Sequence, residues 1–585
     1  MDFSVVAGMF DRLESTSSRL EMADIMADYF SKAGPGELKS MVYLSQGRLG
    51  PEFATKEFGM ADRLVLKAIS FTSGDTDAAT EALWFELGDP GAVAERLLGR
   101  KKQTTLFSEK LTLGRVIEVL TAIANAEGRD SQDKKMKLLA NLLHNSDPVE
   151  ARYICRIVAG RMRIGVASMT MLDALAIAFA EKSDRDEIER AFNVTSDLGL
   201  VAEALATGGL DAVREIKVGV GNPIKVMLAE RLPSLGEILG RMGGRCALEY
   251  KYDGIRVQAH ISPDGVKLYS RRLEDLTPNF PDIVESLRER CRHGTLIVEG
   301  ECVAVDPETE AMLPFQNVTL RRRKHNMAEA VMKVPVRLFM FDLLYADGVD
   351  YTVKPFPERR AALADAFELG GDLGLTHLEV VSSEGEADAF FDGALAKKCE
   401  GIMAKSLNDD SVYRAGSRGF LWIKYKRDYR SDLADTFDLV VVGAFHGRGK
   451  RAGLYGALLM AVYDEDTGRY GTVCKLGTGF DDAFLEALPG MLEGWETDSA
   501  PKHVDAEMKP DVWVEPAVVL EVAGAEMSVS PIHTAAMGVF REGSGVGIRF
   551  PRFTGRVRDD KAPEDATTVA ELVAMYRMQL DPAAE

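Results

Sequence analysis

Glu249-Tyr250-Lys251-Tyr252-Asp253-Gly254-Ile255-Arg256 is the stretch of this 585-residue chain from which its fold and chemistry are best read. A lysine stands there two residues ahead of an Asp-Gly pair, with a glutamate before it and an arginine after it. Lysine with an ordinary pKa near 10.4 is neutral only about once in 2,500 molecules at pH 7, a cost of roughly 4.6 kcal/mol against the nucleophilic form. Neighbouring cations or desolvation are what turn such an amine into a nucleophile. Alone, K-x-D-G is a weak signal, since chance produces it in a chain of this length on the order of one time in ten. The plain alternative is an exposed Lys-Asp turn.

Working outward, Val298-Glu299-Gly300-Glu301-Cys302-Val303-Ala304-Val305-Asp306 reads as a strand with glutamates two apart, so both carboxylates leave the same face. Such a pair suits a divalent cation carrying phosphate, or else marks a solvated strand face. Trp422-Ile423-Lys424-Tyr425-Lys426 repeats the geometry with opposite charge. Lys424 and Lys426 point together, placed to hold phosphate oxygens and to act on a nearby lysine; the alternative is a solvated edge. Phe341 lies in an apolar strand, where packing in the core is the plain alternative to a functional role.

The rest of the chain divides by hydrophobic period. Up to about residue 215 it is helical, and in Ser168 to Lys182 Leu172, Leu175, Ala176 and Phe179 share one helical face. Lys217-Val218-Gly219-Val220-Gly221-Asn222-Pro223 breaks that pattern and reads as a linker. From about 245 the period is two, with Val266, Leu268 and Ser270 alternating with Lys267 and Tyr269. The polar stretch Asp428 to Asp432 precedes an apolar strand at Leu439 to Val442, and glycine-punctuated short strands after it suggest a small barrel. Val569, Leu572, Val573 and Tyr576 place a closing helix.

Composition narrows the class. With 46% hydrophobic and 28% charged residues the chain is neither collagenous nor disordered, and it is too long for a single core. No apolar run of membrane-spanning length or secretory signal occurs, so a cytoplasmic protein without a membrane is expected. The six cysteines are scattered singly with no C-x-x-C pair, which argues against a zinc site or disulfide framework. The net charge of −20 opposes nucleic acid only mildly, because the sum does not locate the charge.

In order along the chain, Lys251-Tyr252-Asp253-Gly254, Tyr269-Ser270-Arg271-Arg272, Val298 to Val305, Phe339-Met340-Phe341-Asp342-Leu343, Glu400 to Lys405, Trp422 to Lys426 and Arg549-Phe550-Pro551-Arg552-Phe553 through Arg558 to Lys561 resemble the covalent nucleotidyltransferases. Among these they resemble the ATP-dependent DNA ligases of the archaeal and eukaryotic replicative type, and Arg161-Met162-Arg163-Ile164-Gly165 is similar to part of that family's DNA-binding domain. The resemblance implies a multidomain α and α+β fold: a helical DNA-binding domain at 1–217, a mixed α/β nucleotidyltransferase domain at 218–430 and a C-terminal OB-fold β-barrel at 431–585.

It also implies roles. Lys251 would be the adenylated lysine; Glu249 would bond the adenine amino group and Phe341 would stack on the base. Arg256 and Arg271 would lie near ribose and phosphate, with Lys424 and Lys426 on the α-phosphate and Arg418 as a further nucleotide contact. Glu301 and Glu400 would hold Mg2+, with Mn2+ the alternative, and Arg552, Arg558 and Lys561 would orient pyrophosphate leaving ATP. The plain alternative for Lys405 is to neutralise the carboxylate cluster without touching nucleotide, and Arg321-Arg322-Arg323-Lys324 reads as a solvated loop that also suits a phosphate backbone.

Nicked double-stranded DNA is the implied substrate, handled by a monomer in replication, repair or recombination. Residues 102–107, with Gln103 and Phe107, resemble a short sliding-clamp-binding motif, and a surface loop is the alternative. A hinge at 428 to 435 would let the C-terminal domain withdraw to admit DNA. The competing readings are an RNA ligase or capping-type nucleotidyltransferase, an NAD-dependent ligase, and a silent DNA- or clamp-binding scaffold.

Overall fold

An Asp-Pro pair followed by glutamate opens the helix Pro148–Val158: Asp147 caps the Glu150 amide, Glu150 returns a bond to the Asp147 amide, and proline at the first helical position gives up no hydrogen bond. That helix buries Arg156, which donates to Glu14 at 2.7 and 2.9 Å and so pins the first helix, Phe3–Glu14, to it. The helix Ser168–Phe179 buries Leu172, Leu175 and Ala176, as their spacing requires, while Phe179 is only partly covered. The computed structural model describes residues 1–54, 56–100, 110–306, 308–309, 311–322, 331–426, 436–447, 451, 453–524 and 526–580. The 102–107 motif and the 428 to 435 hinge lie outside them. Residues Met1–Asp75 with Ala94–Arg430 form one compact unit, and Thr76–Val93 with Ser431–Glu585 a second.

The segment around Gly219 and Pro223 takes neither helix nor strand, as the glycines and proline predict, yet it is tied down. The Gly221 amide donates to His260 Nδ1 at 3.0 Å, and Ile224 exchanges hydrogen bonds with the Gln258 amide group. Val218, Ile224 and Met227 then pack with Tyr413 and Trp422 in one apolar cluster.

Two sheets follow, and they position the site. In the first, β1 (Leu228–Arg231), β11 (Arg418–Lys426), β10 (Gly401–Lys405), β2 (Cys246–Lys251) and β9 (Leu378–Val381) lie in that order. In the second the order is β4 (Gly265–Ser270), β3 (Ile255–Ser262), β5 (Leu296–Ala304), β6 (Val336–Ala346) and β7 (Val349–Asp350), with β8 (Leu373–Leu375) beside β6. Alternation sends Val257, Val298, Leu338 and Met340 into the core of the second sheet.

The basic run at 321 corrects the solvated-loop expectation at the one residue whose side chain is described. Arg321 is fully buried, donating to both oxygens of Asp282 at 2.7 and 2.8 Å and to the Val334 carbonyl at 2.7 Å. Arg323 and Lys324 lie outside the described residues.

The second unit is β-rich, as its glycine-punctuated strands predict. β12 (Thr436–His446) pairs with β13 (Tyr455–Asp464), and β13 with β14 (Arg469–Leu476), within an eight-stranded sheet. Leu439 and Val441 enter one apolar cluster and Val440 and Val442 another, so burial of both faces explains the unbroken apolar run. Leu572 and Tyr576 of the helix Val569–Leu580 are buried in the first of these clusters. Among the described residues no helix is long and apolar enough to cross a membrane.

Candidate active site

Register brings the chemistry together. Across β2, β10 and β11, Lys251 stands opposite Gly401 and Gly401 opposite Lys426, while one step along Glu249, Met403 and Lys424 form the next row. A third row holds Ala247, Lys405 and Trp422. Because strand side chains alternate, these rows share one face of the sheet. On the second sheet Arg256 of β3 stands opposite Glu301 of β5.

A cavity of about 500 Å³ collects them. Glu249, Lys251, Arg256, Arg271, Glu301, Phe341, Glu400, Arg418, Lys424 and Lys426 all line it, and every lining residue falls between Leu228 and Lys426. Its size suits a nucleotide-sized ligand. The turn after Lys251 passes tightly against β5: a Cβ on Gly254 would overlap the Cys302 carbonyl and stand 3.1 Å from Glu301 Cγ, so only glycine permits this approach.

Lys251 Nζ donates to Glu400 Oε2 at 2.5 Å, and Lys426 Nζ reaches the same oxygen at 2.8 Å. The Glu400 amide also donates to the Lys251 carbonyl at 2.9 Å, which fixes the two residues side by side. Burial alone would raise the Glu400 pKa, but Lys251 and Lys426 outweigh it and hold the carboxyl at about 2. Burial pushes Glu301 up to about 7, with Lys251 and Arg256 opposing the rise and Glu400 and Asp253 adding to it. The Lys424 ammonium is lowered by burial and then by Lys426, Arg418, Lys251 and Arg271, a mark of how closely these cations converge.

Several residues are committed differently from expectation. Glu299 and Glu301 do not act as a pair: Glu299 is fully buried and bound to Arg256 Nη2 at 2.7 Å and to the Tyr413 hydroxyl at 2.8 Å. Arg256 therefore lines the cavity with its guanidinium engaged by Glu299 and, at 3.0 Å, by the Met227 carbonyl. Lys405 binds Glu249 Oε2 at 2.7 Å, not the Glu301 and Glu400 carboxylates. Phe341 is half-buried, edge-on to Trp422 at 6.1 Å, with one side of its strand facing core and the other the cavity.

In the second unit Arg558 donates to both Asp438 oxygens at 2.7 Å and Lys561 meets Asp438 at 2.7 Å. Arg552 is exposed and has no acidic partner among the described residues. Arg360 and Thr376 were not singled out in the sequence; Arg360 donates to Glu249 Oε1 at 3.2 Å and Thr376 lines the cavity.

Among the described residues no cluster of three or more His, Cys, Asp or Glu side chains is disposed to hold a metal. Glu301 and Glu400 both line the cavity, and one or two carboxylates beside waters and phosphate oxygens are the donor set that Mg2+ ordinarily takes.

Three family models match the chain: "DNA ligase N terminus" over residues 2–176, "ATP dependent DNA ligase domain" over 226–426 and "ATP dependent DNA ligase C terminal region" over 451–561. The chain is 48% identical over 588 residues to DNA ligase 2 of Thermofilum pendens, covering 99% of this chain and 98% of the relative. It is 44% identical over 598 residues to the DNA ligase of Staphylothermus marinus, covering 100% of both. The DNA ligase of Aeropyrum pernix is 46% identical over 593 residues, covering 99% of this chain and 98% of the relative. Among solved structures, one named Pmar-Lig_Pre. has a similar fold, with a TM-score of 0.55, 15% identity and coverage of 95% of this chain and 99% of that one.

Proposed function

The chain belongs to the ATP-dependent DNA ligases, and from that premise we propose that Lys251 captures AMP from ATP and passes it to the 5′-phosphate of a nick. Nicked duplex DNA is the substrate of such an enzyme; the RNA ligase and capping readings are not favoured by relatives that are DNA ligases over their full length. The observation that carries the proposal is the placement of Lys251 in a cavity it shares with Glu400, Lys424 and Lys426.

The neutral Lys251 amine attacks the α-phosphorus, an N–P bond forms, the bond to pyrophosphate breaks, and one N–H proton leaves to solvent. Lys426, in the same cross-strand row as Lys251, and Lys424, in the next row, stabilise charge on the transferring phosphoryl group. Glu249 and Phe341 hold the base by amino-group bonding and stacking, while Arg271 and Arg418 lie at the sugar-phosphate side with Arg256. Glu301 and Glu400 would hold Mg2+ or Mn2+, which when bound neutralises phosphate charge. Arg552, Arg558 and Lys561 orient the leaving pyrophosphate, and for Arg558 and Lys561 this means exchanging Asp438 for phosphate. AMP then moves to the nick's 5′-phosphate, and attack by the 3′-hydroxyl closes the backbone and releases AMP.

Division at 1–217, 218–430 and 431–585 fits this sequence of steps. A cytoplasmic monomer is the form proposed, in keeping with a substrate found in the genome. Incubation with α-labelled ATP tests the central step: label should stay on the denatured protein and be released by acid. Absence of label with ATP, ADP, NAD and GTP alike would refute it.

DNA contacts should fall mainly on phosphate, since sealing must tolerate any sequence. Affinity for nicked duplex is expected to fall on the order of a thousandfold between about 50 and about 200 mM salt despite the net charge of −20; a flat titration would contradict this. For residues 102–107 we propose a clamp contact, so Phe107→Ala should lose stimulation by a sliding clamp while nick sealing alone is unchanged. Equal stimulation of both proteins would contradict this.

A further inference from the structure

We propose that Arg360 and Lys405 are positioning residues that clamp the Glu249 carboxylate from both sides and thereby set the cavity's preference for a purine with a 6-amino group over one with a 6-oxo group. The proposal rests on reading the cavity as the nucleotide site and deepens it.

Glu249 is 2% exposed, and a carboxylate buried this far is costly unless paired. Lys405 Nζ meets Oε2 at 2.7 Å and Arg360 Nη1 donates to Oε1 at 3.2 Å, so each oxygen is held by its own cation. Each carboxylate oxygen accepts in two lone-pair directions, which leaves capacity on both for a ligand donor. Neither cation is free to follow a moving glutamate. Arg360 also donates to Thr376 Oγ1 at 2.9 Å and to the Thr376 carbonyl at 2.6 Å. Lys405 donates to the Phe341 carbonyl at 3.0 Å and lies 4.6 Å from the centre of the Trp422 ring. The clamp therefore joins the acceptor that reads the base edge to the backbone of the aromatic residue that stacks on the base.

A carboxylate with a cation on each oxygen presents acceptors to the ligand. It bonds a 6-amino group, whereas a 6-oxo group would oppose lone pairs to lone pairs and leave a buried acceptor unmet. The helix Phe356–Asp365 serves two tasks through consecutive arginines, because neighbours on a helix project about 100° apart. Arg359 turns to Asp342, and Arg360 to Glu249.

The test uses full-length protein and capture of label from α-labelled ATP and α-labelled inosine triphosphate, with thermal melting measured in parallel. Wild-type protein should favour ATP. Arg360→Ala should raise the KM for ATP and reduce the ATP-to-inosine triphosphate preference, each on the order of tenfold, with kcat changed far less. Lys405→Met should lower the same preference from the other side, and Arg360→Lys should restore part of it. A preference unchanged in both Arg360→Ala and Lys405→Met, whether or not capture falls, would overturn the clamp. Wild-type protein taking label from neither nucleotide would overturn the nucleotide-site reading and the clamp with it; a wild-type that labels equally with both overturns the clamp alone.

Discussion

Replacing Lys251 with alanine should abolish nucleotide capture and slow the sealing of an ordinary nick by at least about 10⁴-fold, yet leave measurable sealing of a nick that already carries AMP on its 5′-phosphate. The asymmetry follows from the bonds made. In the proposed mechanism Lys251 bonds to phosphorus only while AMP is taken from ATP and given up to DNA; the final attack by the 3′-hydroxyl needs the surrounding cations and carboxylates, not the amine. Deleting the amine removes one of two lysines on Glu400, and Lys426 remains at 2.8 Å to hold that carboxylate. Single-turnover sealing of plain and pre-adenylated nicks separates the cases. Full-speed sealing of the plain nick by Lys251→Ala would contradict the mechanism.

Arg359→Ala should lower folding stability by about 3 to 5 kcal/mol, a large share of the roughly 5 to 15 kcal/mol that holds a typical native domain together. Arg359 and Asp342 are both fully buried. The arginine gives two bonds to Asp342, at 2.7 and 3.0 Å, and one each to the Lys354 and Ser411 carbonyls at 2.7 Å. Truncation strands the Asp342 carboxylate and two carbonyls away from water. Since Asp342 follows Phe341 in β6, the cavity wall at Phe341 should loosen too. Arg359→Leu combined with Asp342→Leu should cost less than Arg359→Ala, because no charge is left unpaired. Urea or thermal unfolding of the single variant within about 0.5 kcal/mol of wild type would show that the pair contributes little.

What could be read from the sequence was what strand periodicity dictates. Residues two apart on a strand share a face, so Lys424 with Lys426 was legible before any partner strand was known. The same rule misled at Glu299 and Glu301. The register of β5 against β6 shifts between Glu299 and Gly300, and the shared face gives each carboxylate a different fate: Glu299 goes to Arg256 and Tyr413, Glu301 to the cavity. Buried charge pairs were illegible because their partners are distant in sequence. Arg360 meets Glu249 across 111 positions, and Arg321, in a run that looks solvated, meets Asp282 across 39. Nothing local marks these arginines as interior; the partner carboxylate decides it.

The central claim is that one amine, at the end of β2, carries the nucleotide. Protein incubated with ATP, denatured without acid, digested and mapped by mass spectrometry should carry a single AMP adduct on the peptide containing Lys251, fragmenting to that side chain. An adduct on any other residue, or none under conditions in which nicks are sealed, would contradict it.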